Sequence, residues 1–425
     1  MNPLHKTAPR VTTGLLLTTA FFILVACLGY HLAGSRSPCL LPMKPGGPEV
    51  RVELTRKSPR SLTLSGAGQI SITGYSNAPG SRPIPIRAGK TCGKIRILPT
   101  ATGLRLFLPG GPGTGESVPA RLHFQGAGLR VSPGNDHVMG VVEVSKTASN
   151  KVRAIQILDM ETYLLGVLIP EMGSRFPLEA LKAQAVAARS YAYASILQAK
   201  KLGKTRVLSR SDLDQVFRPV DPIPRSIREA VVLTRGEVLG TAEQPLKAYY
   251  HSTCGGSTRD AAPHFDPGSP IKGRPCAFCS ASKYFTWSRR YDTGELIRTL
   301  RSAGLPVTPP LHSINPVGVD PSGRIITLSI VHGSGKTSLK ASKFRTLMNR
   351  RAKSQDRRIL STYMTSLAWT PNRKELLITG HGWGHGVGMC QMGAARLARE
   401  GMTYRQILAH YYHGISVSRA WGRSE

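Results

Sequence analysis

A proline turn followed by a long amphipathic segment constrains this chain more than any other feature. Pro177 suits the first turn of a helix, where its missing N–H costs no hydrogen bond. The sequence therefore predicts a helix over Leu178–Lys200. Apolar residues recur at helical spacing along it, at Leu178, Leu181, Ala185, Ala188 and Ala192. This spacing gives the helix an apolar face, and its small side chains allow a neighbouring element to approach closely.

One glutamate, Glu171, stands between this helix and the apolar run Tyr163–Ile169. Its sequence neighbours Pro170 and Met172 are also apolar. Apolar surroundings disfavour the charged form of a carboxyl group, which is what a general acid near neutral pH requires. Glu171 is therefore predicted to be a catalytic acid. The local sequence alone leaves open that it is a solvated loop residue.

The net charge of +33 is large, from 57 Lys and Arg against 24 Asp and Glu. The basic residues are spread along the chain without a long basic run. Such a charge implies an anionic partner, which could be nucleic acid, lipid headgroups or an acidic cell-wall polymer. The alternative is that the basic surface is solvated and has no dedicated partner.

An uncharged run occupies residues 14–30, with Lys6 and Arg10 before it. About 20 apolar residues span a bilayer, and basic flanks stay in the cytoplasm. We predict a cytoplasmic tail at 1–13 and a membrane anchor at 14–34. A cleaved signal peptide, or a lipoprotein lipidated at Cys27, is the alternative. Each version exports residues 40–425, which favours lipid or wall polymer over nucleic acid.

Composition divides the region that follows. Residues 35–60 are rich in proline, serine and basic residues, and they are predicted to be a linker. Residues 61–119 hold short β-type runs separated by Gly and Pro, typical of a small accessory β-rich module. Cys39 and Cys92 could form a disulfide in an exported protein, or both could be free.

A glycine-rich block spans Gly380–Gln391 and contains five alternating glycines. No frame gives G-x-G-x-x-G, so a dinucleotide loop is excluded. The Trp383 ring suits stacking on a sugar face. The two histidines, His381 and His385, are four residues apart, but the glycines argue against a helical metal pair. Tight backbone packing and a ligand groove both remain open.

Two pairs of potential metal ligands lie between residues 251 and 279, namely His251-x2-Cys254 and Cys276-x2-Cys279. Two such pairs suit tetrahedral zinc. A zinc ion held by four protein ligands would be structural. A disulfide or free thiols are the alternatives, and His264 could replace His251 as the fourth ligand.

Several segments together resemble the SpoIID (stage II sporulation protein D) family over residues 120–415. They are Ile169–Met172, Pro177–Ala192, His251–Thr258, Gly380–Ala394 and Ile407–Gly414. The resemblance implies an α+β domain with a β-rich core and a few packed helices. Two positions depart from the usual family pattern, Cys390 in place of Ser or Thr and Met392 in place of Trp.

The resemblance also implies an activity, lytic cleavage of peptidoglycan glycan strands without water, leaving 1,6-anhydro ends. The single catalytic glutamate of the family falls on Glu171. One carboxyl suffices because the sugar's own C6 hydroxyl is the nucleophile, whereas ordinary glycosidases need two. The expected groove and supporting residues are His381, Trp383, His385, Gln391, Arg189 and Tyr191.

Three other functions remain as alternatives. Some family members modify a cell-wall amidase and cleave nothing. A zinc hydrolase built on His381 and His385 is weaker. Nucleic-acid binding rests on charge alone, so no nucleic-acid partner is expected.

Overall fold

The computed structural model describes most of the chain after residue 46. The described residues are 47–55, 58–66, 68–75, 84–87, 93–111, 113–134, 136–211, 214–218, 221–262, 266–352 and 354–422. The predicted tail at 1–13, the membrane segment at 14–34, the Cys27 lipidation site, the Cys39–Cys92 pair and His264 lie outside them. Within these residues, no helix has both the length and the hydropathy needed to cross a membrane.

Two β-sheets form the first part of the described chain. The seven-stranded sheet has the order Leu208–Ser209, Glu49–Glu53, Val152–Asp159, Val141–Lys146, Arg121–Gly126, Ile70–Tyr75 and Ile84–Arg87. The six-stranded sheet has the order Asp136–His137, Arg130–Ser132, Leu62–Gly66, Gly93–Pro99, Leu104–Phe107 and Glu116–Val118. Alternate Leu, Ile and Val side chains from both sheets share one core, as period-two patterning predicts.

The seven-stranded sheet corrects two predicted boundaries. Glu49–Glu53 was expected to be linker, but it pairs antiparallel with Val152–Asp159. The expected boundary between residues 119 and 120 also divides one sheet, because Arg121–Gly126 pairs with Ile70–Tyr75. The prolines and basic residues of the predicted linker obscure the alternating pattern of the short strand Glu49–Glu53. Composition also does not show which distant strands pair with each other.

Glu143 forms a nearly buried ionic cluster on this sheet. Its carboxylate lies 3.1 Å from His123 Nε2 and 2.7 Å from Arg51 Nη2. Burial raises the pKa of Glu143, but hydrogen bonds from His123 and Arg51 outweigh burial and lower it to about 2. Because this pKa is below the unfolded value of 4.5, the carboxylate stabilises the fold above pH 4.5. The contribution is lost as pH falls toward 2.

We therefore expect Glu143→Gln to lower the free energy of unfolding at pH 7 by about 2 kcal/mol, after allowance for solvent screening. The difference from wild type should shrink steadily between pH 4.5 and pH 2. Urea unfolding at several pH values measures it. Glu49→Gln is the matched control, because Glu49 bonds the same arginine but is exposed. An equal loss in both variants would contradict the prediction.

Five helices build a second core after the sheets. They are α1 (Met160–Glu171), α2 (Leu178–Lys201), α3 (Arg225–Leu233), α6 (Gln391–Arg399) and α7 (Tyr404–Tyr411). The helix predicted over 178–200 is confirmed as α2. Its buried alanines allow the neighbouring helices to pack closely against it, as their small size suggested. The last two helices return to α2 from the far end of the chain.

A third core lies between residues 284 and 383. Thr286–Asp292, Glu375–His381 and Met364–Trp369 form one sheet, and Leu311–Val319, Ile325–His332 and Gly335–Lys340 form another. Helices α4 (Thr293–Arg301) and α5 (Ala341–Arg351) pack with them. The strands Ile325–His332 and Gly335–Lys340 form a hairpin, with His332 paired to Gly335.

Three short strand pairs contribute residues to the helical core. Glu237–Leu239 pairs with Val417–Arg419, Tyr250–His251 with Met389–Cys390, and Gly256–Ser257 with Pro275–Cys276. Single 3₁₀ turns occur at Ala277–Cys279 and Gln355–Arg357. The part of the chain that the structure describes is thus α+β and rich in strands, with seven α-helices, which confirms the predicted fold class.

Candidate active site

Glu171 is the last residue of α1, where the chain turns toward α2. The N–H of Met172 donates to the carbonyl of Leu168 at 3.0 Å, and Gly173 adopts a φ of +81°. A glycine in the left-handed region is the usual way to end a helix, because other residues are strained there. The turn leaves Glu171 half-exposed at the end of a buried helix.

Pro170 explains how a second segment reaches this helix end. A proline has no N–H, so the carbonyl of Gly166 loses its partner within the helix. That carbonyl instead accepts from the N–H of Arg218 at 2.8 Å. Phe217 packs directly over Gly166, where an added Cβ would lie 2.4 Å from the ring. Residues 214–218 therefore lie along the last turn of α1.

This placement gives the Glu171 carboxyl two hydrogen-bond donors. The N–H of Val216 donates to Oε1 at 2.9 Å, and Nε2 of Gln391 donates to Oε2 at 3.3 Å. The same Gln391 amide is 3.4 Å from Oε1 of Gln184 on α2. Two donors from different elements fix the orientation of the carboxyl group. The structure therefore brings Glu171 and Gln391 together.

A buried network of uncharged side chains lies behind the carboxyl. The hydroxyl of Tyr163 donates to Oε1 of Gln215 at 2.9 Å, and Nε2 of Gln215 donates to the hydroxyl of Tyr250 at 2.8 Å. Burial, followed by the charge of Glu171, raises the pKa of Tyr250 well above its usual value. Tyr250 therefore stays a neutral phenol beside the carboxyl.

Asp214 is a second carboxylate in this region, and its side chain is buried. It accepts from the Ser209 N–H at 2.8 Å, and it forms an ion pair with Arg206. The hydroxyl of Tyr191 donates to its Oδ1 at 3.3 Å. With its oxygens committed to these partners, Asp214 is poorly placed to activate water. Tyr191 is nearly buried and supports Asp214.

The first half of the glycine-rich block belongs to the third core. The Trp383 ring lies 4.5 Å from that of Tyr284, and its backbone exchanges two hydrogen bonds with Thr253. His381 Nδ1 lies 3.2 Å from the carbonyl of Phe285. Trp383 and His381 are both half-exposed. They therefore border the helical core from the side of the third core.

The second half of the block enters the helical core. The Val387 N–H donates to Nδ1 of His385 at 3.0 Å, and the His385 ring lies 5.5 Å from that of His251. Burial, followed by the neighbouring His251, lowers the pKa of His385 well below its usual value. Positive φ angles at the block's glycines permit this close packing. At Gly388, an added Cβ would lie 2.0 Å from the Tyr249 carbonyl.

Arg189 is not a groove residue, which corrects one prediction. Its side chain is fully buried and forms an ion pair with Glu161 at 2.6 Å. It also donates to the carbonyl of Glu237 at 3.0 Å. The helical pattern placed Arg189 on α2 but could not show which face it occupies relative to the buried Glu161. No part of its guanidinium reaches solvent, so Arg189 has a structural role.

Four cysteines form the one group of potential metal ligands found in the described residues. The Sγ atoms of Cys254, Cys276, Cys279 and Cys390 all lie within 4.8 Å of one another. His251 lies outside this group, with its Nδ1 3.0 Å from the carbonyl of Val387. The cluster thus contains Cys390 where the sequence predicted His251. Cys390 is adjacent to His251 across a parallel strand pair, a proximity that sequence spacing does not reveal.

Three further residues of the site are not predicted from the sequence, namely Gln215, Val216 and Tyr250. The contribution of Val216 is a backbone N–H, which has no sequence signature. Gln215 precedes it in a segment with no recognisable motif. The signal that could have found them is Pro170, because an unpaired helical carbonyl must be satisfied by another segment.

Two family models match the chain. A model described as stage II sporulation protein matches residues 148–240, and one described as a domain of unknown function (DUF8618) matches residues 277–388. The first contains Glu171 and the adjoining segment. The second contains the third core and most of the glycine-rich block.

Three curated proteins are each similar to between 61% and 66% of the chain. An uncharacterized protein from Brachyspira hyodysenteriae is 32% identical over 264 residues, which are 61% of this chain and 67% of that protein. Stage II sporulation protein D of Bacillus amyloliquefaciens is 26% identical over 294 residues, covering 66% of this chain and 79% of that protein. The Bacillus subtilis protein of the same name is 26% identical over 293 residues, with the same coverage. The chain belongs to the stage II sporulation protein D (SpoIID) family.

Proposed function

We propose that this protein is a lytic transglycosylase that cleaves the glycan strands of peptidoglycan between MurNAc and GlcNAc. Membership of the SpoIID family supports a role related to sporulation or the cell wall. The observation that carries the finer proposal is the Glu171 carboxyl, half-exposed and held by Val216 and Gln391. The nearby Asp214 carboxylate is buried and paired.

In the proposed reaction, Glu171 acts first as an acid and then as a base. Its carboxyl gives a proton to the glycosidic oxygen, and the bond from that oxygen to C1 of MurNAc breaks. The C6 hydroxyl of the same sugar attacks C1, and the Glu171 carboxylate takes the proton from it. The product is a 1,6-anhydro ring, the carboxyl returns to its starting form, and no water is consumed.

The glycan would lie along the glycine-rich block, with Trp383 and His381 as contacts on the third core. Both side chains are half-exposed, and an aromatic ring can stack on the apolar face of a sugar. The net charge of +33 favours association with an acidic cell-wall polymer or an anionic membrane surface. We further propose that residues 14–34 anchor the chain in the membrane, with the catalytic region outside the cytoplasm.

Product identification tests the proposal directly. The full chain, purified in mild detergent, is incubated with peptide-free glycan and with intact peptidoglycan, and the products are analysed by mass spectrometry. We expect anhydro-MurNAc ends, lighter by one water than hydrolysed ends, with the peptide-free glycan as the better substrate. Reducing ends would indicate a hydrolase and contradict the mechanism. Binding without cleavage would instead indicate a non-catalytic modifier of an amidase.

A further inference from the structure

The four-cysteine cluster has the dimensions of a site for a single metal ion. Its four side chains are at most 1% exposed, and their Sγ atoms lie within 4.8 Å of one another. Sulfur atoms that surround one zinc ion at 2.3 Å are roughly 3.8 Å apart. The Cys254 and Cys279 sulfurs are 3.3 Å apart, beyond the roughly 2.05 Å of a disulfide bond.

The local structure around each cysteine places its sulfur atom in the cluster. Cys254 precedes a glycine turn that leads into Gly256–Ser257, and this strand pairs with Pro275–Cys276. Cys279 ends the 3₁₀ turn that follows. Cys390 arrives from the far end of the chain and caps α6. Two cysteines separated by two residues, completed by distant ligands, are typical of structural zinc sites.

The polar groups around the four sulfur atoms favour negatively charged thiolates. The N–H of Cys254 donates to Sγ of Cys390 at 3.3 Å, and the N–H of Gly393 donates to it at 3.4 Å. The N-terminus of α6 adds partial positive charge. The buried guanidinium of Arg324 donates to the Cys254 carbonyl at 2.6 Å. Four thiolates around Zn²⁺ carry a net charge of about −2, which these groups offset.

Cys390 also connects the cluster to the candidate active site. Gln391, the next residue, donates to the Glu171 carboxyl at 3.3 Å. The N–H of Met392 donates to the Ser252 carbonyl at 3.1 Å, two residues before Cys254. The start of α6 is thus fixed on one side by the cysteine cluster and contacts Glu171 on the other.

We propose that Cys254, Cys276, Cys279 and Cys390 bind one structural zinc ion, and that this ion, through Cys390, positions Gln391 against Glu171. All four coordination positions are filled by protein, so the ion takes no part in bond breaking. The positioning role rests on the proposed function, whereas the metal site does not.

Metal analysis of the full chain, purified under reducing conditions, tests the site. We expect about one zinc per chain, and cobalt substitution should give the visible bands of a tetrahedral thiolate site. Cys390→Ser should weaken zinc binding by about 100-fold in chelator competition. Cys390→His keeps a ligand and should retain zinc, with a thiolate-to-cobalt band about a quarter weaker. Cys92→Ser removes a thiol that the proposed site does not use; it is the matched control and should bind zinc as wild type does.

The same variants test the positioning role. Cys390→Ser should lower kcat for glycan cleavage about tenfold with KM unchanged, and Cys390→His should restore it. Wild type without zinc, a Cys254–Cys279 disulfide, or wild-type zinc affinity in Cys390→Ser would each overturn the site. A zinc-loaded Cys390→Ser with wild-type kcat would overturn the positioning role and leave the metal site standing. Zinc-loaded wild type that cleaves no glycan would refute the proposed function and leave the metal site standing.

Discussion

Glu171→Gln is expected to lower kcat for glycan cleavage by about a thousandfold or more, because in the proposed mechanism one carboxyl performs both proton transfers and an amide can perform neither. The glutamine oxygen can still accept from the Val216 N–H. The orientation of residues 214–218 should therefore be kept, and KM should change little. Initial rates of anhydro-product formation on peptide-free glycan measure the effect.

Glu179→Gln is the matched control for this substitution. Glu179 begins α2, and its carboxylate accepts from the Tyr404 N–H at 2.7 Å, a bond that a glutamine oxygen can replace. We expect at least half of the wild-type rate in that variant. A Glu171→Gln protein that keeps more than about a tenth of the wild-type rate would exclude Glu171 as the acid and base.

The regular elements of this fold could be predicted because their signals are local. Helical spacing predicted α2 almost to the residue. The strand Glu49–Glu53 was missed since its partner lies about a hundred residues away. Short strands are defined by their pairing more than by their composition.

The candidate site was predictable only in part, for the same physical reason. Glu171 and Gln391 belong to motifs that can be read in the sequence. Their hydrogen bond joins positions 220 residues apart, and nothing local reports it. Cys390 lies within a motif too, yet it was not counted with the other cysteines because it is far from them in sequence. The sequence therefore indicates which residues are chemically reactive, but it does not show which distant residues contact them.

Arg189 illustrates the opposite error, a motif residue whose role is structural. Its guanidinium makes two hydrogen bonds to the Glu161 carboxylate, which also accepts from the Gly236 N–H and from Nε1 of Trp421. The side chains of Arg189 and Glu161 are 0% and 1% exposed. This pair links α1 and α2 to the C-terminal end of the described chain.

We expect Glu161→Ala to lower the free energy of unfolding by about 3–5 kcal/mol, because it leaves a buried guanidinium without its counter-ion. Urea unfolding followed by circular dichroism measures the change. Glu400→Ala is the matched control, since it breaks an exposed pair with Arg396 and should cost less than about 0.5 kcal/mol. A loss below about 1 kcal/mol for Glu161→Ala would contradict the prediction.

The double variant Glu161→Leu with Arg189→Met separates stability from substrate binding. Replacing both charges by apolar side chains of similar size removes the unpaired guanidinium but leaves the buried Gly236 N–H without its acceptor, so part of the lost stability should return. Because Arg189 has no exposed surface, KM for glycan should then equal that of wild type. A folded double variant whose KM for glycan is several-fold higher than that of wild type would contradict this prediction. It would show that Arg189 contributes to substrate binding as well as to the buried ion pair.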